Sequence, residues 1–218
     1  MGIRMKVSEP PMTLLDQVIA GQAPPLVPLT VDQYHKMIAR GILPEGAPIE
    51  LIDGLLVRKD RSDRGGNPMS HGPGHVAGVR RLNRQFRPVE ERGYLLHSQL
   101  PVTLDENGEP EPDLTLVRGQ EADFVRRLPS AKDIAAAMEV ADSSLTYDRT
   151  TKLRIYAVAA IPVYWIVNLV DRQIEVYEKP RPDGTYAVCN IYKLGQKAKL
   201  LLEPGLEIDV AMADVIPV

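Results

Sequence analysis

Asp113 follows Pro112 at the head of one apolar run, and 26 residues later Glu139 stands near the end of another. Two carboxylates on adjacent strand ends make a hard oxygen site suited to magnesium or manganese. Buried together without a cation they would repel each other, so one must carry a proton or both must share a metal. Taken singly, Asp113 reads as the close of a turn and Glu139 as the partner of an arginine. Lys152 changes that weighting. It lies four residues from Asp148 and four from Tyr156, so the three share a helical stripe. The helix begins directly after the stretch that carries Glu139, which brings its first turns close to that strand end. An ammonium group there can hold a phosphate oxygen or position a water that a metal has made acidic. A plain surface pair of Asp148 and Lys152 is the competing explanation.

These side chains need elements to hold them. Thr30 followed by Gln33 is a capping box, with Tyr34, Met37 and Ile38 on one side and Gly41 as the stop, and predicts a helix over 30–40. Asp53-Gly54 between two apolar runs predicts a hairpin over 49–59 with Glu50 on its first strand. His75, Val79, Leu82 and Phe86 recur at steps of four, three and four and predict a helix over 74–91. A strand over 94–104, a turn at Asn107-Gly108 and a return strand over 113–117 form a second hairpin. A strand over 134–141, a helix over 146–160 closed by Pro162, and strands over 163–168, 173–179, 185–192 and 197–202 complete the order. The expectation is an α/β domain over 30–218, a mixed central sheet flanked by helices with additional antiparallel strands at the C-terminal end. Residues 1–29, with five prolines, read as an extended arm.

Other chemistries find little support. The 218 residues contain no phosphate-loop lysine motif, no serine elbow and no zinc-protease histidine pair. Gly72, Gly74 and Ala77 formally match a dinucleotide fingerprint, but a long polar loop separates them from the preceding strand. His71 and His75 are four apart, yet Gly72, Pro73 and Gly74 break the helix that would face both to one zinc. The single cysteine, Cys189, alternates with Ala187 and Ile191 and is expected on a buried strand face as inert core. No apolar stretch approaches a membrane span and no signal-peptide core forms, which suits a cytoplasmic chain without a membrane partner.

With a net charge of −3, affinity for nucleic acid must come from a local face. Residues 58–92 hold nine Lys or Arg against four acids, and Arg80, Arg84 and Arg87 share one helical face. Phosphate contacts from such a face give salt-sensitive, sequence-tolerant binding, while the bland account is a solvated helix. His75 heads the apolar stripe and points toward the sheet, where it either sits as a satisfied core histidine or touches phosphate or metal. Tyr156 either lines the site or packs on the sheet.

The series Ile49-Glu50-Leu51-Ile52-Asp53-Gly54, Pro112-Asp113, Glu139-Val140 with Ser143-Ser144, Asp148, Lys152 and Tyr156, then Tyr164-Trp165-Ile166-Val167, resembles the Uma-two family of the PD-(D/E)xK nuclease superfamily over about residues 30–216. The resemblance implies a restriction-endonuclease-like core, with Asp113 and Glu139 as metal ligands and Lys152 as catalytic lysine. Glu50 matches the first acidic position and His75 the histidine at the head of the second helix. Two residues after Glu139, where the superfamily's lysine stands, this chain has Ala141, and the resemblance implies that Lys152 substitutes from the neighbouring helix.

The reading that results is a magnesium- or manganese-dependent endonuclease acting on DNA. Glu50, Asp113, Glu139 and Lys152 are its catalytic residues, and His75, Arg80, Arg84 and Tyr156 its substrate contacts. A catalytically inactive nucleic-acid or protein-binding module on the same core is the alternative. The apolar, tyrosine-bearing C-terminal strands suit a homodimer.

Overall fold

The computed structural model describes residues 18, 20–22, 24–59, 72–202 and 205–217. Most of the N-terminal arm lies outside these residues, as do His71 and the segment with Arg61 and Arg64. Helix α1, Val31–Ala39, begins at the capping box: Gln33 N–H donates to the Thr30 hydroxyl, and Thr30 N–H donates to the Gln33 side chain. Strands β1, Ile49–Ile52, and β2, Leu55–Arg58, form an antiparallel hairpin. Its turn places Asp53 and Gly54 at φ values of 51° and 74°. Glycine is required at 54 for a second reason, since a Cβ there would stand 2.2 Å from Cβ of Pro28.

Helix α2 spans Pro73–Phe86 and passes into a 3-10 turn at Arg87–Arg92. The sequence pattern predicts one helix to residue 91. Pro88 lacks the N–H that a continuing α-helix would bond to residue 84, so the coil tightens there. Helix α3 has three parts: an α turn Leu145–Tyr147, a π segment Asp148–Lys152 and an α segment Leu153–Val158.

The central sheet has six strands: β3 Tyr94–His97, β4 Leu114–Arg118, β5 Ile134–Ala141, β6 Val163–Asn168, β7 Gln173–Pro180 and β8 Tyr186–Lys193. They lie in sequence order, and only β5 and β6 pair in parallel, joined across α3. The expected mixed α/β sheet with flanking helices is the observed architecture. Strand β3 ends at His97, short of the expected 104, because Gln99 takes a positive φ of 52° and Pro101 cannot donate to a ladder.

Side-chain alternation on the sheet makes two cores. On one face Leu114, Met138, Val140, Trp165 and Val167 pack against Val79, Leu82 and Phe86 of α2. Phe86 and Trp165 meet edge to face with ring centroids 5.7 Å apart. The same face is covered by the hairpin of β9, Lys197–Leu202, and β10, Leu206–Ala211, and by the short helix α4, Met212–Val215. These are the expected C-terminal antiparallel strands, though they form a sheet of their own. On the other face Ile134, Ala137, Ala141, Tyr164 and Ile166 pack against Ile155 and Tyr156 of α3 and Ile52 of the first hairpin.

One expectation is reversed. Cys189 is exposed, and Ala187 and Ile191 are exposed with it. Strand β8 is the sheet edge, and its half-buried side carries Tyr186, Val188 and Tyr192. Alternation separates two faces of a strand but does not say which one meets the core.

Candidate active site

Strands β4 and β5 are antiparallel with Leu114 opposite Met138, a register that sets Asp113 beside Glu139 one step beyond. Asp113 N–H donates to Oε2 of Glu139 at 3.2 Å, and Val140 N–H donates to Oδ2 of Asp113 at 2.8 Å. Each carboxylate is thereby oriented by the other's strand. Met138 and Val140 face α2, so Glu139 between them faces α3.

From α3, Lys152 brings Nζ to 3.3 Å from Oε1 of Glu139 and donates to Oε1 of Glu50 at 2.8 Å. That Glu50 oxygen also accepts Glu111 N–H at 2.7 Å. The Tyr156 hydroxyl donates to Oε1 of Glu139 at 2.9 Å, while its ring packs on Tyr164 at 5.0 Å. Both readings of Tyr156, packing and site, therefore describe the same side chain. Asp148 and Lys152, four apart on α3, are both buried.

Five charged side chains converge in this interior: Glu50, Asp113, Glu139, Asp148 and Lys152 are each 8% exposed or less. Four carboxylates against one ammonium leave surplus negative charge. Burial pushes the Glu139 carboxyl up to about 8; Lys152 opposes the rise, and Asp113, Asp148 and Glu50 reinforce it. Without a cation, burial and the neighbouring carboxylates therefore bias Glu139 toward its protonated form. Burial works to lower the Lys152 ammonium, but Glu139 and Glu50 outweigh it and keep the charge in place. Burial works to raise Asp113; His75, Val140 N–H and Lys152 overcome it and hold the carboxyl below its ordinary range.

His75 reaches this cluster from the opposite face of the sheet. Helix α2 comes close to β5 at Gly78, where a Cβ would lie 2.8 Å from Cγ1 of Val140. The approach lets the His75 ring touch the strand end. Nδ1 lies 2.8 Å from the Val140 carbonyl, which can only accept, so Nδ1 must carry a proton. Nε2 is turned to Oδ1 of Asp113 at 3.2 Å. Burial disfavours the imidazolium, yet Asp113 and the Val140 carbonyl raise its pKa above the ordinary value. Gln99 also approaches Oδ1 of Asp113 with its amide at 3.4 Å, a neighbour that no periodic pattern in the sequence signals.

The structure thus gathers Glu50, Asp113, Glu139, Lys152, Tyr156 and His75 around one strand end. Arg80 and Arg84 are not among them. They stand exposed on the solvent side of α2, and Arg81 beside them instead donates to the Ile216 carbonyl at 2.9 Å. The donor set suits a hard divalent cation, since it has buried oxygen ligands and a surplus of negative charge. Among the described residues, no three His, Cys, Asp or Glu side chains already stand at metal-holding spacing.

A carboxylate pair at adjoining strand ends, with a lysine brought to it from α3, stands on a mixed sheet, and comparison with known proteins places the chain in a nuclease-like class. The Uma2 family, described as putative restriction endonuclease, matches residues 31–212, and the chain belongs to that family. The crystal structure of a putative nuclease belonging to DUF820 from Anabaena variabilis has the same fold, with a TM-score of 0.58 and 18% identity, covering 87% of this chain and 98% of that one. No curated protein matches the chain. Among the described residues no helix is long and apolar enough to cross a membrane.

Proposed function

We propose that the chain is a divalent-metal-dependent endonuclease that hydrolyses phosphodiester bonds of DNA. The observation that carries the reading is the buried contact of Lys152 with both Glu50 and Glu139, beside an Asp113 whose own N–H is bonded to Glu139. Family membership supports it.

In this reading Asp113 and Glu139 hold magnesium or manganese, and Nε2 of His75, fixed by the bond from Nδ1 to Val140, is offered to the same ion. A histidine that donates its other N–H to a carbonyl is oriented and made more basic as a ligand. When bound, such an ion would neutralise charge at the phosphate and make a water more acidic. Glu50 fixes the ammonium of Lys152, which then steadies charge on the phosphate or aligns the attacking water. Tyr156 restrains the Glu139 carboxylate. The exposed Arg80 and Arg84 lie along α2 outside the cluster, where they can contact backbone phosphates flanking the cut.

The test is incubation of the full chain with plasmid and duplex oligonucleotides in magnesium or manganese. Cleavage that vanishes in Asp113→Ala and Lys152→Ala is expected; cleavage unchanged by both variants refutes the assignment. The exposed arginines of α2 would also serve a non-catalytic DNA-binding module on the same core. That reading requires salt-sensitive binding with no cleavage in any divalent ion.

A further inference from the structure

Tyr147 is the last residue of the α turn that precedes the π segment of α3. In a regular helix, residues five apart point to different sides. A π turn, which bonds i to i+5, brings them to nearly the same side, and here the Leu153 N–H donates to the Asp148 carbonyl in that pattern. The widening therefore sets Tyr147 toward the same side as Lys152. The electrostatic neighbours of its hydroxyl are those of the site: Lys152, Glu50, Glu139 and Asp148.

Among the described residues the Tyr147 hydroxyl is buried without a hydrogen-bond partner. Other tyrosine hydroxyls in the domain are used: Tyr156 donates to Glu139, Tyr164 to the Asp148 carbonyl, Tyr177 to Glu175, Tyr186 to the Ile161 carbonyl and Tyr34 to the Ile49 carbonyl. A buried polar group left unmet calls for an explanation, and this one has the charged site as its electrostatic surroundings. Burial pushes the phenol up to about 12, so at neutral pH it is a donor. The group it awaits must accept, and next to the Lys152 ammonium the fitting acceptor is an anionic oxygen.

We propose that the Tyr147 hydroxyl donates a hydrogen bond to a non-bridging oxygen of the DNA phosphodiester that lies against Lys152. This makes it a substrate-contacting residue of the site, and it rests on the nuclease reading given above. The π segment then has a functional reason, because it carries phenol and ammonium to one phosphate.

Tyr147→Phe removes only the oxygen. The expected result is an unchanged or raised Tm together with single-turnover DNA cleavage slowed about tenfold or more, the loss of one hydrogen bond to a charged group. A merely structural hydroxyl would lower Tm instead, and that outcome overturns the proposal. Tyr147→Phe cleaving at the wild-type rate also overturns it while leaving the nuclease assignment intact. If the wild-type chain cleaves nothing in magnesium or manganese, the nuclease assignment fails separately. Fluorescence anisotropy with a labelled duplex oligonucleotide in calcium then decides the contact: weaker binding by Tyr147→Phe supports it, and equal or absent binding by both proteins ends it.

Discussion

Glu50 and Lys152 are separated by 102 residues of chain and joined by a 2.8 Å ion pair in the interior. The contact ties the first hairpin to α3 across the site. It also explains how a lysine can remain charged with almost no exposure: Glu50 is bonded to it directly and Glu139 lies 3.3 Å away.

Breaking that pair from one side leaves a buried charge. Lys152→Met leaves Glu50, Glu139 and Asp113 without their shared cation and is expected to destabilise the domain by roughly 3–5 kcal/mol. Glu50→Gln should cost less, about 1–3 kcal/mol, because Glu139 can ionise and take over the ammonium. The Glu50→Gln/Lys152→Met double variant should be more stable than the sum of the two losses. Urea denaturation of the four proteins measures the coupling, and strict additivity would contradict the pairing.

Glu139 sets a pH dependence. Its folded pKa is raised, so the folded state keeps a proton that the unfolded chain has lost, and metal-free stability falls as pH rises from the ordinary carboxyl value toward about 8. Glu139→Gln cannot lose that proton and should show a flatter curve over the same window, ending more stable than wild type at the alkaline end. Manganese binding to the wild-type chain should release up to one proton per ion near neutral pH, with affinity rising about tenfold per pH unit below the Glu139 pKa. Calorimetry in buffers of different ionisation enthalpy reads the proton count, and zero release would show that the ion binds elsewhere.

Much of this arrangement is legible in local sequence. Thr30 and Gln33, Asp53-Gly54 and the apolar run 134–141 each specify their element through contacts within a few residues, so their positions agree with expectation. Strand β10 also carries a local signal, since Leu206, Ile208 and Val210 alternate after Pro204-Gly205, although the expected strands end at residue 202. The π segment is different in kind. An extra residue in one turn leaves an apolar stripe nearly intact, so the pattern that places Lys152 on a helix does not reveal Tyr147 at its side. The exposure of Cys189 was hidden for a related reason, because it depends on which strand ends up at the edge of the sheet.

A second polar network anchors the π segment from outside. Glu175 on β7 accepts from Arg149, Asn168, Gln173 and Tyr177. Burial works to raise its pKa, but these donors outweigh it and hold the carboxyl at about 2. A depressed pKa contributes stability that is complete above the unfolded carboxyl value and is lost as pH falls through the folded one. Glu175→Gln should therefore lose roughly 2 kcal/mol at neutral pH, the partly exposed Arg149 being able to recover water, and the gap to wild type should close in acid. A constant gap down to strongly acidic pH would rule out the carboxylate as the source.

The arginines of α2 separate binding from chemistry. Arg80 and Arg84 are exposed, so Arg80→Glu and Arg84→Glu should leave Tm and manganese affinity unchanged. If they contact phosphates, each reversal weakens DNA binding across all sequences and lowers the slope of log affinity against log salt by about one. The catalytic rate on saturating DNA should hold, since neither side chain touches the carboxylate cluster. Reversals that abolish turnover at saturation would place these arginines in the reacting geometry, and reversals without effect on affinity would leave α2 with a solvated face and move the DNA path to the hairpin side of the site.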